Sequence, residues 1–358
     1  MVSKMADREG RERLEQRRRL LAWFDGQQRD LPWRRSRDPY PVWVSEIMLQ
    51  QTRVETARPY FERFIRTFPS VEALATAEVE AVLSNWSGLG YYQRARRLHA
   101  AARQVVEEGG EFPTTVEGWL RLPGVGRYTA AAIASIVLAV REPAIDGNVM
   151  RVASRLLALK EDPKKRVGSR AIEAKARELL DPDRPGDSNQ AMMELGATIC
   201  RPRRPRCSSC PLECDCLAAA TGEPNQFPVA RRRAPVLPHR RQVAVVENAE
   251  RLLLFRRPGD SARLAGLWEL PWIEAGSEEG PEESLRRRYG GRWEVGSPRG
   301  RVRHSVTNRS FQIEVVEAKL SSDNEVAEGP EAGWFSRAEL VGVPVTGLVG
   351  KIVKLLDS

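Results

Sequence analysis

The chain has 358 residues, of which 41% are hydrophobic, enough for two domains with cores of their own. A net charge of +9, carried largely by arginine, suits a polyanionic partner, most simply nucleic acid. The longest apolar stretch, Thr129 to Val140, is too short to span a bilayer, and the charged opening MVSKMADREGRERLEQRRRL lacks the apolar run of an export signal.

Residues 11 to about 220 read as helical. Leu14, Leu20, Leu21 and Phe24 mark the apolar face of a first helix, interrupted by LPWR (31–34) and Asp38-Pro39. A second helix is expected from about Val44, with Ile47, Met48, Val54, Phe61, Phe64 and Ile65 on its apolar side and a kink or split at Pro59. Short helices then alternate with turns at Phe68-Pro69-Ser70, Gly88-Leu89-Gly90 and Gly109-Gly110. Composition changes over residues 222–241, GEPNQFPVARRRAPVLPHRR, which is rich in Pro and Arg and has no hydrophobic period. Beyond it QVAVVE, RLLLFRRP, LWELPWI and FQIEVVEA read as strands, with helical pieces at Ser284–Tyr289 and Ser336–Leu340. The expected organisation is multidomain: an all-α domain over 1–221, a linker over 222–238 and a smaller α+β domain over 239–358.

Cys200, Cys207, Cys210 and Cys216 stand as C-x6-C-x2-C-x5-C in an arginine-rich loop, with Cys214 left over in the last gap. Four thiolates so close in sequence point to a metal site. Zinc suits four sulfurs but favours two close pairs, whereas a [4Fe–4S] cluster tolerates uneven spacing. Structural disulfides would need more cysteines in a chain of this length.

Three further segments carry candidate chemistry. LPGVGRYTA (122–130) reads as a hairpin turn opening a helix, where Gly124 and Gly126 permit close backbone approach and free N–H groups can hold a phosphate. The same pattern also serves ordinary helix–helix turns. Asp146, in AIDGNVMRV, fits a turn or a helix cap as well as a catalytic role. Glu46, in WVSEIMLQQT, has apolar neighbours that predict burial, and burial raises a carboxyl pKa until it can donate a proton near neutral pH.

The order LPWR, SEIMLQQT, GLGYY, LPGVGRYTA, DGNV, NQAMMELG and the cysteine loop resembles the adenine DNA glycosylases, the MutY family of the helix–hairpin–helix superfamily, from roughly Leu20 to Ala220. The resemblance implies a six-helix barrel and a second helical module holding one [4Fe–4S] cluster on Cys200, Cys207, Cys210 and Cys216. It implies that Glu46 protonates adenine, that Asp146 stabilises or bonds to the sugar cation, and that Asn148 supports Asp146. Tyr128 stands where endonuclease III carries a Schiff-base lysine, which implies a glycosylase without strong lyase activity. Trp33, Arg34, Leu49, Thr52 and Gln190 match an adenine pocket. Gln51 and Tyr91 match side chains that enter the base stack, and Leu89, Gly124, Val125 and Gly126 belong to motifs that lie on DNA.

The stretch LLLFRRPGDSARLAGLWELPWIE resembles the Nudix-like module of the same family, without the box needed for pyrophosphate hydrolysis. The family's Phe-Ser-His loop, which reads 8-oxoguanine, falls at Val306-Thr307-Asn308 and departs at all three positions. The implied enzyme is a cytoplasmic, monomeric, bacterial glycosylase acting on double-stranded DNA with 8-oxoguanine:A or G:A mispairs. The runner-up is a relative removing thymine or uracil opposite guanine. A non-catalytic DNA scanner or a nucleotide hydrolase fits less well, given both carboxylates and the missing box.

Overall fold

The computed structural model describes residues 2–229, 237–259, 261, 264–276, 279–306, 309–321 and 332–358. Twelve helices precede the first described strand: α1 Val2–Gln27, α2 Pro39–Leu49, α3 Val54–Thr67, α4 Val71–Ala75, α5 Val79–Asn85, α6 Gln93–Glu107, α7 Val116–Leu120, α8 Arg127–Val137, α9 Gly147–Leu156, α10 Arg166–Glu178, α11 Pro185–Thr198 and α12 Leu217–Ala220. Then come β1 Leu237–Val245, β2 Glu247–Asn248, β3 Arg251–Arg256, β4 Trp268–Glu269, β5 Trp272–Glu274, α13 Pro281–Tyr289, β6 Arg292–Val306, β7 Arg309–Ser321, β8 Ala332–Ser336 and α14 Gly347–Leu356. Among the described residues no helix is long and apolar enough to cross a membrane. The chain divides into two compact units, residues 1–75 with 100–232 and residues 76–99 with 233–358.

In the first unit, one core joins α1, α9, α10 and α11 through Leu20, Phe24, Val149, Val152, Leu156, Ala176, Leu179, Met192 and Leu195. Leu14, expected on the same face of α1, is instead exposed. Helix α11 lies against its neighbours at backbone distance. A Cβ on Gly186 would meet the Ser135 carbonyl oxygen at 2.6 Å, and one on Gly196 would meet the Asn148 Cβ at 2.5 Å. Only glycine permits these approaches, which bring α11 onto α8 and the start of α9.

The long helix expected from Val44 is two helices, and the break falls at residues 50–53 rather than at Pro59. Gln51 takes the left-handed conformation (φ 58°), which ends α2. Pro59 remains inside α3.

In the second unit a four-stranded sheet has the order β5-β1-β7-β6, with β1 and β7 parallel. A second sheet pairs β2, β4 and β8 with β3. Alternation along β1 sends Val243 and Val245 into a core shared with Val349 and Ile352 of α14. It sends Ala244 to the opposite face, where Val246, just beyond the strand, and Leu285 of α13 also pack. Two expectations need correction here. Ser336 ends β8 and is followed by a short 3-10 turn, Glu339–Val341, not a helix. Helix α14 was not expected, because Gly347 and Gly350 dilute its apolar period.

Candidate active site

Glu46 stands on α2, a helix buried almost all round, between Ser45 and Ile47 and with Val42, Trp43 and Met48 also in the core. Asp38 caps this helix by accepting the Tyr40 N–H at 2.9 Å, and Pro39 occupies its first turn. Glu46 is 6% exposed, and its Oε2 has no hydrogen-bond partner. Burial pushes its pKa up to about 7. A hydrogen bond from Tyr128 opposes this shift, the charge of Asp146 adds to it, and the Arg34 guanidinium opposes it. Tyr128, in the first turn of α8, donates its proton to the Met193 Sδ at 3.2 Å. Burial and the two carboxylates hold its phenol well above the ordinary value, so it is neutral at working pH.

Asp146 caps α9. Its Oδ1 accepts the N–H groups of Asn148 at 2.8 Å and Val149 at 2.7 Å, and its Oδ2 accepts the Asn148 side-chain amide at 2.7 Å. Burial raises its pKa, and these three donors oppose that shift. The helix N-terminus adds its own preference for negative charge. Asn148 Oδ1 in turn accepts from Arg151 Nη2 at 2.8 Å, and Arg151 also donates to the carbonyls of Gly196 and Cys200, each at 2.8 Å.

Arg34 is held by Glu194 of α11 at 2.9 Å, and Arg29 makes two further bonds to the same carboxylate at 2.6 and 3.0 Å. Glu194 is 1% exposed. Its two guanidinium partners outweigh burial and lower its pKa, which keeps it ionised. Beside Arg34, Trp33 packs edge-on against Phe61 at 5.2 Å. Leu49, Thr52 and Gln190 are half-buried, and Gln51 is exposed in its left-handed conformation. At the hairpin Gly124 has φ 84°, and Gly126 caps α8 without a side chain, with open space where a Cβ would stand. The Val125 and Leu89 side chains turn into the core, each 7% exposed, so what they provide is support for their turns rather than a surface. In the second unit Tyr91 is 48% exposed with φ 52°. Thr307 and Asn308 lie outside the described residues.

Cys200, Cys210 and Cys216 pack on the core of α1, α9 and α11, whereas Cys214 is exposed. Cys207, Cys210 and Cys216 each interact electrostatically with Cys200, so the four thiols share one locality. Among the described residues no three acidic, histidine or cysteine side chains converge closely enough for a single ion. The sulfurs are supplied with donors: Arg155, 2% exposed, donates to Cys200 Sγ at 3.3 Å, the Leu212 amide faces Cys210 and the Ala219 amide faces Cys216. Four half-buried thiols in one locality, three of them with an N–H donor, fit a thiolate-held metal group. Arg29, Arg151, Arg155, Met193 and Glu194 were not singled out from sequence. A charged residue in a helix reads as exposed, and only NQAMMELG pointed toward this part of α11.

The two halves of the chain define a class. Residues 44–180 match the model for the HhH-GPD superfamily of base excision DNA repair proteins, and residues 242–355 match that of the NUDIX domain. Among similar proteins, the adenine DNA glycosylase of Mus musculus is 36% identical over 96% of this chain and 78% of its own length. That of Homo sapiens is 36% identical over 95% and 73%, and that of Schizosaccharomyces pombe 35% over 93% and 87%. A solved thermostable thymine-DNA glycosylase superposes with a TM-score of 0.54 at 27% identity, over 60% of this chain and 99% of its own. An endonuclease III trapped on DNA shares the fold, with a TM-score of 0.51 at 20% identity over 60% of this chain and 98% of its own. The chain belongs to the adenine DNA glycosylase family.

Proposed function

We propose that this chain hydrolyses the N-glycosidic bond of adenine mispaired with 8-oxoguanine or guanine in double-stranded DNA. The observation that carries the reading is the pair of unlike carboxyls. Glu46 is buried with a pKa of about 7 and a free Oε2, and Asp146 is held by three N–H donors. Adenine leaves poorly as an anion, and a proton on N7 lets it leave neutral. Glu46 supplies that proton. Departure leaves an oxocarbenium-like sugar, which the carboxylate of Asp146 stabilises, as in glycoside hydrolysis. Tyr128 offers a neutral phenol where a lyase needs an amine, so the product is an abasic site in an unbroken strand.

Trp33, Arg34, Leu49, Thr52 and Gln190 form the base pocket, with Glu194 fixing Arg34. Gln51 and Tyr91, both in the strained left-handed region, enter the base stack. Cys200, Cys207, Cys210 and Cys216 hold one [4Fe–4S] cluster, which when bound organises the loop bearing Arg201, Arg203, Arg204 and Arg206 against phosphates. Gly124 and Gly126 receive a phosphate at the start of α8.

The test is single-turnover excision on duplexes with 8-oxoguanine:A, G:A, G:T and G:U. Release of adenine is expected from the first two. Glu46→Gln and Asp146→Asn should each slow it at least about a hundredfold while DNA binding survives. Release of thymine or uracil in preference to adenine would transfer the site to the activity named for the solved thymine-DNA glycosylase.

A further inference from the structure

Tyr91 sits on a turn that needs outside support. Gly88 (φ 94°), Gly90 (φ 78°) and Tyr91 (φ 52°) all adopt left-handed backbone, which a tyrosine adopts only under constraint. Part of the support is local. Trp86 Nε1 and Arg94 Nη2 both donate to the Gly90 carbonyl, at 3.1 and 3.0 Å, and the Arg94 guanidinium lies 5.4 Å from the ring centres of Trp86 and Tyr91.

Further support comes from far along the chain, within the same compact unit. Tyr92 is 4% exposed. Its hydroxyl accepts the Gly88 N–H at 3.2 Å and donates to the Val345 carbonyl at 2.8 Å. Val345 is fixed in turn, because Trp268 N–H donates to the Pro344 carbonyl and Thr346 N–H to the Trp268 carbonyl, each at 2.9 Å. Ser84 Oγ donates to the Gly342 carbonyl at 2.8 Å, Arg96 Nη2 to the Ala265 carbonyl at 2.8 Å, and Arg256 Nη2 to Glu80 at 2.6 Å. Gly266 admits Arg96, since a Cβ there would stand 2.7 Å from its Nη2.

We propose that the loops 264–268 and 342–346 of the Nudix-like domain are a positioning device for the base-flipping turn, with Tyr92 as the residue that joins them. The proposal rests on the reading of Tyr91 as the side chain that enters the stack. It gives the C-terminal domain a second task besides contact with the opposite base. The domain sets the angle at which Tyr91 meets the duplex, and the β6–β7 connection and the flipping turn are carried by one unit.

The experiment uses the full chain with Tyr92→Phe, Ser84→Ala and the double variant. Excision is measured on a G:A duplex and on the same adenine in an unpaired bubble, where little unstacking is needed. Amide exchange over residues 86–92 is followed in the free protein. Tyr92→Phe should lower the duplex-to-bubble ratio about five- to tenfold, the scale of a buried hydrogen bond lost with its acceptor left unpaired. It should also speed exchange over 86–92 but not over 40–50, and the double variant should exceed either single one. An unchanged ratio, or equal slowing on both substrates without faster exchange, overturns the proposal. Tyr91→Ala separates the two readings. If it leaves the ratio unchanged, the wedge reading fails, while exchange in Tyr92→Phe still reports whether the tether exists.

Discussion

Glu46 is poised near neutrality because burial outweighs the two groups that pull its pKa down. Its value in the fold is about 7, against 4.5 for an ordinary glutamate. Between those values the folded chain keeps a proton that the unfolded chain releases. The contribution of Glu46 to stability is therefore complete below about pH 4.5 and is lost as pH rises through about 7. Glu46→Gln preserves the shape and removes the ionisation. In urea unfolding at pH 8 the variant should be more stable than the parent by on the order of 2–3 kcal/mol, and at pH 5 most of the difference should vanish. Equal stability at pH 8 would mean that the carboxyl finds solvent or a cation that stabilises its charge. On the proposed role of Glu46, the same sign makes excision by the parent fall as pH rises above 7, since the carboxyl then lacks a proton to give. The burial of Glu46 and the helix cap at Asp146 were both legible, one from its apolar neighbours and the other from a cap-like Asp-Gly. Glu194 and Arg155 were not. Their burial follows from where α9 and α11 pack, and nothing beside them in sequence marks them as interior.

Helices α9 and α11 meet where the Asn148 Cβ approaches Gly196, and this contact connects the site to the cysteine loop. Asp146, Asn148 and Arg151 form a chain of hydrogen bonds ending on the Cys200 carbonyl, and Arg155 of the same helix reaches the Cys200 sulfur. Loosening the loop therefore loosens the hydrogen bonds that hold Asp146. Cys214 is exposed and outside this packing, whereas Cys210 is half-buried on it. Cys214→Ser should keep the iron content, the brown absorbance and the excision rate. Cys210→Ser should lose iron and absorbance and slow excision. Protein made anaerobically with stoichiometric zinc and no iron would refute the cluster. At this scale the hairpin and the cysteine spacing were readable because glycine and cysteine act through local chemistry. The break at 50–53 was not, since Gln50-Gln51-Thr52 holds no Gly or Pro and Gln51 takes a left-handed conformation that favours glycine.

The basic excess of the whole chain accounts for attraction to DNA but not for choice among mispairs, because phosphate contacts carry no sequence information. On the proposed function, choice of the opposite base is assigned to side chains of the second unit. The strands of that unit were legible where they alternate, as in β1, and obscure where Gly296, Pro298 and Gly300 interrupt β6 and shift its register against β7. The two long strands β6 and β7 pair as far as Val306 and Arg309, so only Thr307 and Asn308 stand between them in sequence. Thr307 keeps a hydroxyl able to accept the N7 proton peculiar to 8-oxoguanine, Asn308 keeps hydrogen-bonding capacity, and Val306 lacks an aromatic ring. One such hydrogen bond is worth about 0.5–1.5 kcal/mol, roughly two- to tenfold in rate or affinity. The parent should therefore excise adenine opposite 8-oxoguanine faster than opposite guanine by a factor in that range. Thr307→Ala combined with Asn308→Ala should bring the two rates together by slowing the 8-oxoguanine duplex and leaving G:A as it was. Single-turnover rates on both duplexes check this. A preference that survives the double substitution would assign recognition of 8-oxoguanine to another surface.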